Sequence, residues 1–269
     1  MKRLLLLITA ILTLGWVTLS WAGVVITQQT VTDAINGHHT SQRTLMIQGK
    51  MQKTVMNRQV ILINLTNNTM TLLDPDHKTY LQMPFPPKRM AAAMQSVNGM
   101  APNLKKTGVS KTIAGYRCYE YKGAGSSAMG EYTVSGCFAP KAPGASEYDA
   151  FSRALSRRLR ASSVATMSHP DGIPLTMVTT TKITNFSMLG LNPQQAQAMA
   201  QQMAGRPPAK STMITTAIDM RDLPASTFEI PSDYTKTSMP PMSGSRMGGP
   251  LMMAPPRGPA AAPTPYRGE

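Results

Sequence analysis

From Val24 to Met83 the chain alternates apolar and polar residues in short runs, each bounded by residues that favour turns. Alternation with period two predicts half-buried strands. The runs are Val24–Val31, Thr44–Met51, Gln59–Leu65, Thr69–Leu73 and Lys78–Met83. Asn67-Asn68 and Asp74-Pro-Asp-His-Lys78 supply turns, the latter with Pro and Asp pre-set for the bend. Successive short strands joined by tight turns predict an antiparallel sheet and argue against a βαβ layout.

The periodicity then changes. Pro87 to Val97 reads as a helix, with Met90, Met94 and Val97 on one face and Asn98-Gly99 as its stop. Glu147 to Arg160 reads as a second, with an apolar stripe of Tyr148, Phe151, Leu155 and Leu159. Ser146 and Asp149 have the spacing of a capping box, and the arginines at its far end complement the helix dipole. A third helix spans Pro193 to Ala204, capped by Asn192, with Pro193 in its first turn and Gly205 as its stop. Strands return at Pro174–Ile183 and Thr212–Met220, so the fold class is α+β.

The two ends differ from this body. Residues 1–22 carry Lys2 and Arg3, then the apolar run Leu4 to Leu19, then Ser20 and Ala22 as small residues at a cleavage site. That order is the pattern of a secretory signal peptide, cut between Ala22 and Gly23. The domain is expected over 23–235, in the periplasm or outside the cell. Residues 236–269 are rich in Pro, Gly, Ala, Ser and Met without any period, and read as a disordered basic tail.

Of the 269 residues, 27 are Lys or Arg and 13 are Asp or Glu, a formal charge of +14. Without Lys2 and Arg3 the charge is +12. Such a surface attracts anionic envelope components such as headgroups, or an acidic protein partner. Export and the lack of an aromatic-plus-basic module argue against nucleic acid. Export also makes a disulfide the expected state of Cys118 and Cys137. Tyr116–Lys122 and Glu131–Phe138 read as the two strands of a hairpin around the loop Gly123–Gly130, so the bond would staple it for about 2–4 kcal/mol.

No catalytic pattern is present, and no cofactor is expected. His38, His39, His77 and His169 lack metal spacing and stand beside no nucleophile motif. The anomaly is methionine, 22 in all. Met90, Met94, Met199 and Met203 recur at i and i+4 and would line an apolar pocket, although packing against a sheet explains the same spacing. Arg153, Arg157, Arg158 and Arg160 form the densest basic cluster, a candidate contact for anionic groups or a solvated helix face. In the tail, Met239, Met242, Met247, Met252 and Met253 offer soft thioethers that suit Cu(I), without regular spacing or an accompanying His.

Three segments carry a resemblance: Thr69-Met-Thr-Leu-Leu-Asp-Pro-Asp-His-Lys-Thr-Tyr80, Lys111-Thr-Ile-Ala-Gly-Tyr-Arg-Cys118 and Phe228-Glu-Ile-Pro-Ser-Asp-Tyr234. Together, over about 24–235, they are similar to an uncharacterised bacterial envelope family of unknown function, related in architecture to periplasmic lipoprotein carriers of the Lol type. The resemblance implies a strongly curved antiparallel sheet, a half-barrel with helices covering its concave face. It implies no activity. Among the residues of these motifs, Gly115 suggests a bulge or close backbone approach, and Phe228 and Ile230 one side of a strand ended by Pro231.

The reading that follows is a non-enzymatic periplasmic binding protein holding a lipid, acylated or other amphiphilic ligand in the half-barrel. The alternatives are an envelope interaction protein acting through its basic surface and tail, and a copper binder acting through the tail methionines.

Overall fold

The computed structural model describes residues 22–34, 37–87, 103–127, 130–161, 170–186 and 192–238. The sequence-predicted helix at Pro87–Val97 lies outside these residues except for Pro87, as do residues 1–21 of the predicted leader and the predicted tail from residue 239.

Among the described residues, twelve strands form one open sheet: β1 (Gly23–Ala34), β2 (Gly37–Gln48), β3 (Met51–Met56), β4 (Gln59–Asn64), β5 (Thr69–Asp74), β6 (Thr79–Pro84), β7 (Lys105–Ile113), β8 (Tyr116–Ser127), β9 (Gly130–Ala139), β10 (Ile173–Ile183), β11 (Ala209–Arg221) and β12 (Thr235–Lys236). Their order is β12-β6-β5-β4-β3-β2-β1-β11-β10-β9-β8-β7. Two antiparallel meanders thus meet where β1 pairs with β11, and only β12 joins in parallel, on β6. The two described α-helices, α1 (Ala145–Ala161) and α2 (Pro193–Met203), are inserted between β9 and β10 and between β10 and β11.

Of the first six strands, β1, β2, β4, β5 and β6 overlap the five predicted runs, β2 begins earlier than its run, at Gly37, and β3 is not predicted as a strand. The run Thr44–Met51 is broken by a turn at Gly49, whose φ of +58° suits glycine, and β3 begins beyond it. Regular registers then align three rows of side chains on one face. One is Val24, Ile47, Gln52, Ile63, Met70 and Met83; the next is Ile26, Leu45, Thr54, Ile61, Leu72 and Leu81; the third is Gln28, Arg43, Met56 and Gln59. The apolar stripe of α1 packs on this face: Phe151 is 1% exposed, in one core with Val24, Ile26, Leu45 and Ile47, and Tyr148, Leu155 and Leu159 lie against it.

Three local expectations are corrected. Helix α1 starts at Ala145, so Ser146 is inside the first turn rather than at a cap, and the Asp149 carboxylate accepts the Gly172 N–H at 2.9 and 3.0 Å. Gly115 marks neither a bulge nor a close approach. It and Ala114 have φ of +81° and +50°, the two-residue turn that matches hairpin twist, and a Cβ at Gly115 would meet open space. Phe228 ends a 3-10 turn (Ala225–Phe228) and is not in a strand, because Thr227 N–H and Glu229 N–H donate locally to Pro224 and Ser226 and Pro231 has no N–H to offer.

Helix α2 matches its reading: Asn192 Oδ1 accepts the Gln195 N–H at 2.8 Å, and Gln195 Oε1 accepts the Asn192 N–H at 3.1 Å. Cys118 and Cys137 are joined, with Cα atoms 5.4 Å apart. In register Cys137 faces Glu120, so the bond runs diagonally across the hairpin, and the strands extend well into the expected loop, to Ser127 and from Gly130.

Glu120, 9% exposed beside that bond, is held by Lys111 at 3.2 Å, Thr107 Oγ1 at 3.0 Å and Lys122 at 3.3 Å. Its hydrogen bond from Lys111, then that from Thr107, keeps the carboxyl below the usual carboxylate range. A carboxyl depressed on folding stabilises the protein above its unfolded value, and that contribution is lost as pH falls through the folded one. Glu120→Gln should therefore be less stable at neutral pH, and its loss of stability between pH 7 and pH 3 in urea melts should be smaller than that of the parent.

Candidate functional site

Two clefts open at one end of the sheet. Helix α1 covers the other end of the same strands, where Val24, Ile47 and Ile173 are buried. The larger cleft, about 960 Å³, is a trough on the α1-bearing face of β2–β6. Its apolar lining includes Met56, Leu72 and Leu81, each half-buried, and Leu72 and Leu81 continue the row that starts under α1 at Ile26. Arg58 and Asp76 at its mouth form an exposed ion pair at 3.2 Å. The volume falls in the range of small-molecule sites, about 300–1,000 Å³.

A polar group adjoins the inner end of the trough, beside its lining residues rather than among them. Along β2, Ser41 lines the trough, Leu45 and Ile47 are core, and Arg43 stands between them, directly across from Met56. Arg43 Nε donates to Gln28 Oε1 at 2.7 Å, Gln28 Nε2 donates to Thr215 Oγ1 at 3.1 Å, and Thr215 Oγ1 donates to the Pro174 carbonyl at 2.6 Å. Gln28 and Thr215 are 1% and 3% exposed, so this is a core relay. Burial lowers the Arg43 guanidinium from its ordinary value, and burial pushes the neighbouring Tyr148 phenol up to about 12, so Tyr148 is neutral where Arg43 is charged.

The second cleft, about 810 Å³, lies between α2 and the adjoining ends of β10, β11 and β1. Ile183, Phe186, Met203 and Pro207 give it an apolar lining, and Lys182, Arg206 and Lys210 stand around it with one acid, Asp33. Asp33 is already bonded to His38 Nδ1 at 2.6 Å.

Of the sequence-predicted pocket residues, Met203 lines this second cleft, whereas Met199, one turn earlier and half-buried, is not among its lining residues. Met90 and Met94 lie outside the described residues, as do Met239, Met242, Met247, Met252 and Met253. Arg153, Arg157 and Arg158 are exposed on α1, and Arg153 pairs with Asp171 at 3.2 Å; the Arg160 side chain is outside the description. The helix therefore presents several cations but brings none of them to either cleft. Among the described residues no three His, Cys, Asp or Glu side chains gather as a metal set, and no helix is long and apolar enough to cross a membrane.

Sequence reasoning missed Gln28, Arg43 and Thr215. A signal was present: Val24-x-Ile26-x-Gln28 and Arg43-x-Leu45-x-Ile47 each place a polar residue on the apolar beat of an alternating strand, where burial demands a partner.

A family model described as a domain of unknown function (DUF4412) matches residues 35–234. No curated protein matches the chain. Among solved structures the chain is similar to PNGF-II, at 10% identity and a TM-score of 0.38, over 80% of this chain and 30% of that one, so it spans about a third of the PNGF-II chain. It is also similar to a putative outer membrane lipoprotein-sorting protein domain from Vibrio parahaemolyticus, at 8% identity and a TM-score of 0.30, over 78% of this chain and 90% of that one. A LolA superfamily protein from Nitrosomonas europaea gives 8% identity and a TM-score of 0.29 over 78% and 90%. The motifs at Thr69–Tyr80, Lys111–Cys118 and Phe228–Tyr234 all fall within the span of the family model, and the chain belongs to the DUF4412 family.

Proposed function

We propose that this is an exported, non-enzymatic protein that holds an amphiphilic ligand, such as an acyl chain, in the trough of β2–β6, with α1 closing the concave side at one end. The observation that carries this reading is the set Met56, Leu72 and Leu81, from two neighbouring rows: half-buried apolar side chains that continue the core beyond the reach of α1 and line an open cleft. Apolar surface left in this way gains free energy when a chain covers it, about 25 cal/mol per Å² removed from water. The leader at residues 1–22 supports work outside the cytoplasm, the unit 23–235 is the binding domain, and the tail 236–269 is an appendage to it.

Titration with a fluorescent long-chain fatty acid tests the reading. One molecule should bind per chain, and Met56→Asp should weaken binding at least tenfold, about 1.4 kcal/mol, because a carboxylate there would have to be desolvated against the chain and would pair with Arg43 across the ladder. Equal binding by parent and variant, at equal fold stability, would place the ligand elsewhere.

A second reading is favoured by the α2 cleft. Three cations around Met203, with their single acidic neighbour occupied by His38, suit an anionic envelope surface or partner. Met199 on the same helix would extend such a contact, and the α1 arginines 153, 157, 158 and 160 would offer a separate one. Soft-metal binding by the tail is the remaining alternative, and Cu(I) titration of intact and tail-deleted protein separates it.

A further inference from the structure

We propose that Arg43 is the anion-recognition residue of the trough, so that the ligand carries a carboxylate or phosphate head at the inner end of its apolar chain. The proposal rests on the trough being the binding site and adds to it the class and orientation of ligand.

The arrangement around Arg43 is costly. A half-buried guanidinium loses hydration, and proteins ordinarily compensate such a group with a carboxylate. Among the described residues no carboxylate forms an ion pair with Arg43, and its one hydrogen bond there is the donation from Nε to Gln28. Tyr148, its nearest electrostatic neighbour on α1, is neutral and bonded to Ser152. The positive charge is thus placed at the core boundary without a protein counter-charge.

It is also held in place. The single Thr215 hydroxyl proton goes to the Pro174 carbonyl, so Thr215 Oγ1 must accept from the amide end of Gln28. This orients Gln28 with Oε1 towards Arg43 and engages Nε. The planar fork beyond, four N–H groups on the two terminal nitrogens, keeps the geometry that pairs with two oxygens of a carboxylate or phosphate. A relay of two almost fully buried side chains that immobilises one edge of an arginine is preorganisation of the other edge.

The surroundings set what comes with the anion. Arg43 is not itself a lining residue of the trough but flanks two that are, Ser41 two positions along β2 and Met56 across the ladder, and from Met56 the apolar lining runs to Leu72 and Leu81. Exposed Arg58 and the Asp76 to which it is paired lie at the mouth instead, where solvent screens them. A ligand with its head at Arg43 and its chain along this lining satisfies both features. The reverse orientation would leave Arg43 buried against methylene groups.

The test compares ligands of one chain length: a fatty acid, its methyl ester and the corresponding alkyl phosphate, displacing the same fluorescent probe from the parent, Arg43→Gln and Arg43→Lys. The parent should prefer the two anions to the ester. Arg43→Gln should weaken the anions by about ten- to a hundredfold, as expected for loss of charge-assisted hydrogen bonds, and leave the ester within about twofold. Arg43→Lys retains charge without the fork and should fall between them, which also guards against a folding defect in Arg43→Gln. The tighter-binding anion in the parent distinguishes a carboxylate ligand from a phosphate one. If the parent binds acid and ester alike and Arg43→Gln changes neither, the role of Arg43 is overturned while the trough stands. If no ligand of the series binds the parent, both readings fall.

Discussion

Phe151→Ala should lower the unfolding free energy by about 3–5 kcal/mol, the largest loss expected from any single side chain of α1. Phe151 is 1% exposed and sits at the centre of the stripe that joins the helix to Val24, Ile26, Leu45 and Ile47. A helix of 17 residues is marginal alone in water, so α1 depends on this face for its stability. Truncation removes the ring's burial and leaves a cavity between helix and sheet that rigid strands cannot close. Urea unfolding would show a lower midpoint at an unchanged slope, whereas exposed Ala150→Ser, away from that face, should shift stability by no more than about 0.5 kcal/mol. A loss below about 1 kcal/mol for Phe151→Ala would mean that α1 is not anchored through it.

Removing the disulfide comes next in size. Cys118 and Cys137 are 19 residues apart, and opening a loop of that length returns chain entropy to the unfolded state worth about 3 kcal/mol. The double variant Cys118→Ala, Cys137→Ala should therefore melt well below the parent, and the parent treated with reductant should melt close to the variant. Identical melting of oxidised parent and double variant would show that the hairpin β8–β9 needs no staple. Because both sulfurs share a core with Phe151, the two effects should not simply add.

What the sequence made legible follows how local the causes are. Helix α2 is bounded by Asn192, Pro193 and Gly205, whose chemistry acts within a few residues, and its ends fall where those residues put them. β3 was hidden because its buried position is Thr54, with Gln52 and Lys53 beside it, so no apolar beat announces a strand that β2 and β4 nevertheless pair on both sides. β7 was hidden for a different reason: it is an edge, exposed almost throughout, rich in lysine and interrupted by an irregularity between Lys106 and Ser110, features that discourage pairing with another chain. The inner end of the trough was the least legible part. Gln28, Arg43 and Thr215 converge only through the β1–β2 and β1–β11 registers, and the last contact spans 187 positions. Their burial makes them readable afterwards as polar residues on an apolar beat, but the identity of their partners is a property of topology.

Native mass spectrometry of protein released gently from its own compartment tests the central claim most directly. The account predicts a population heavier than the bare chain by one amphiphile of acidic head, released on denaturation and absent from Met56→Asp prepared in the same way. Bare chain alone in the parent, under conditions that preserve such complexes in a known fatty-acid binder, would contradict it.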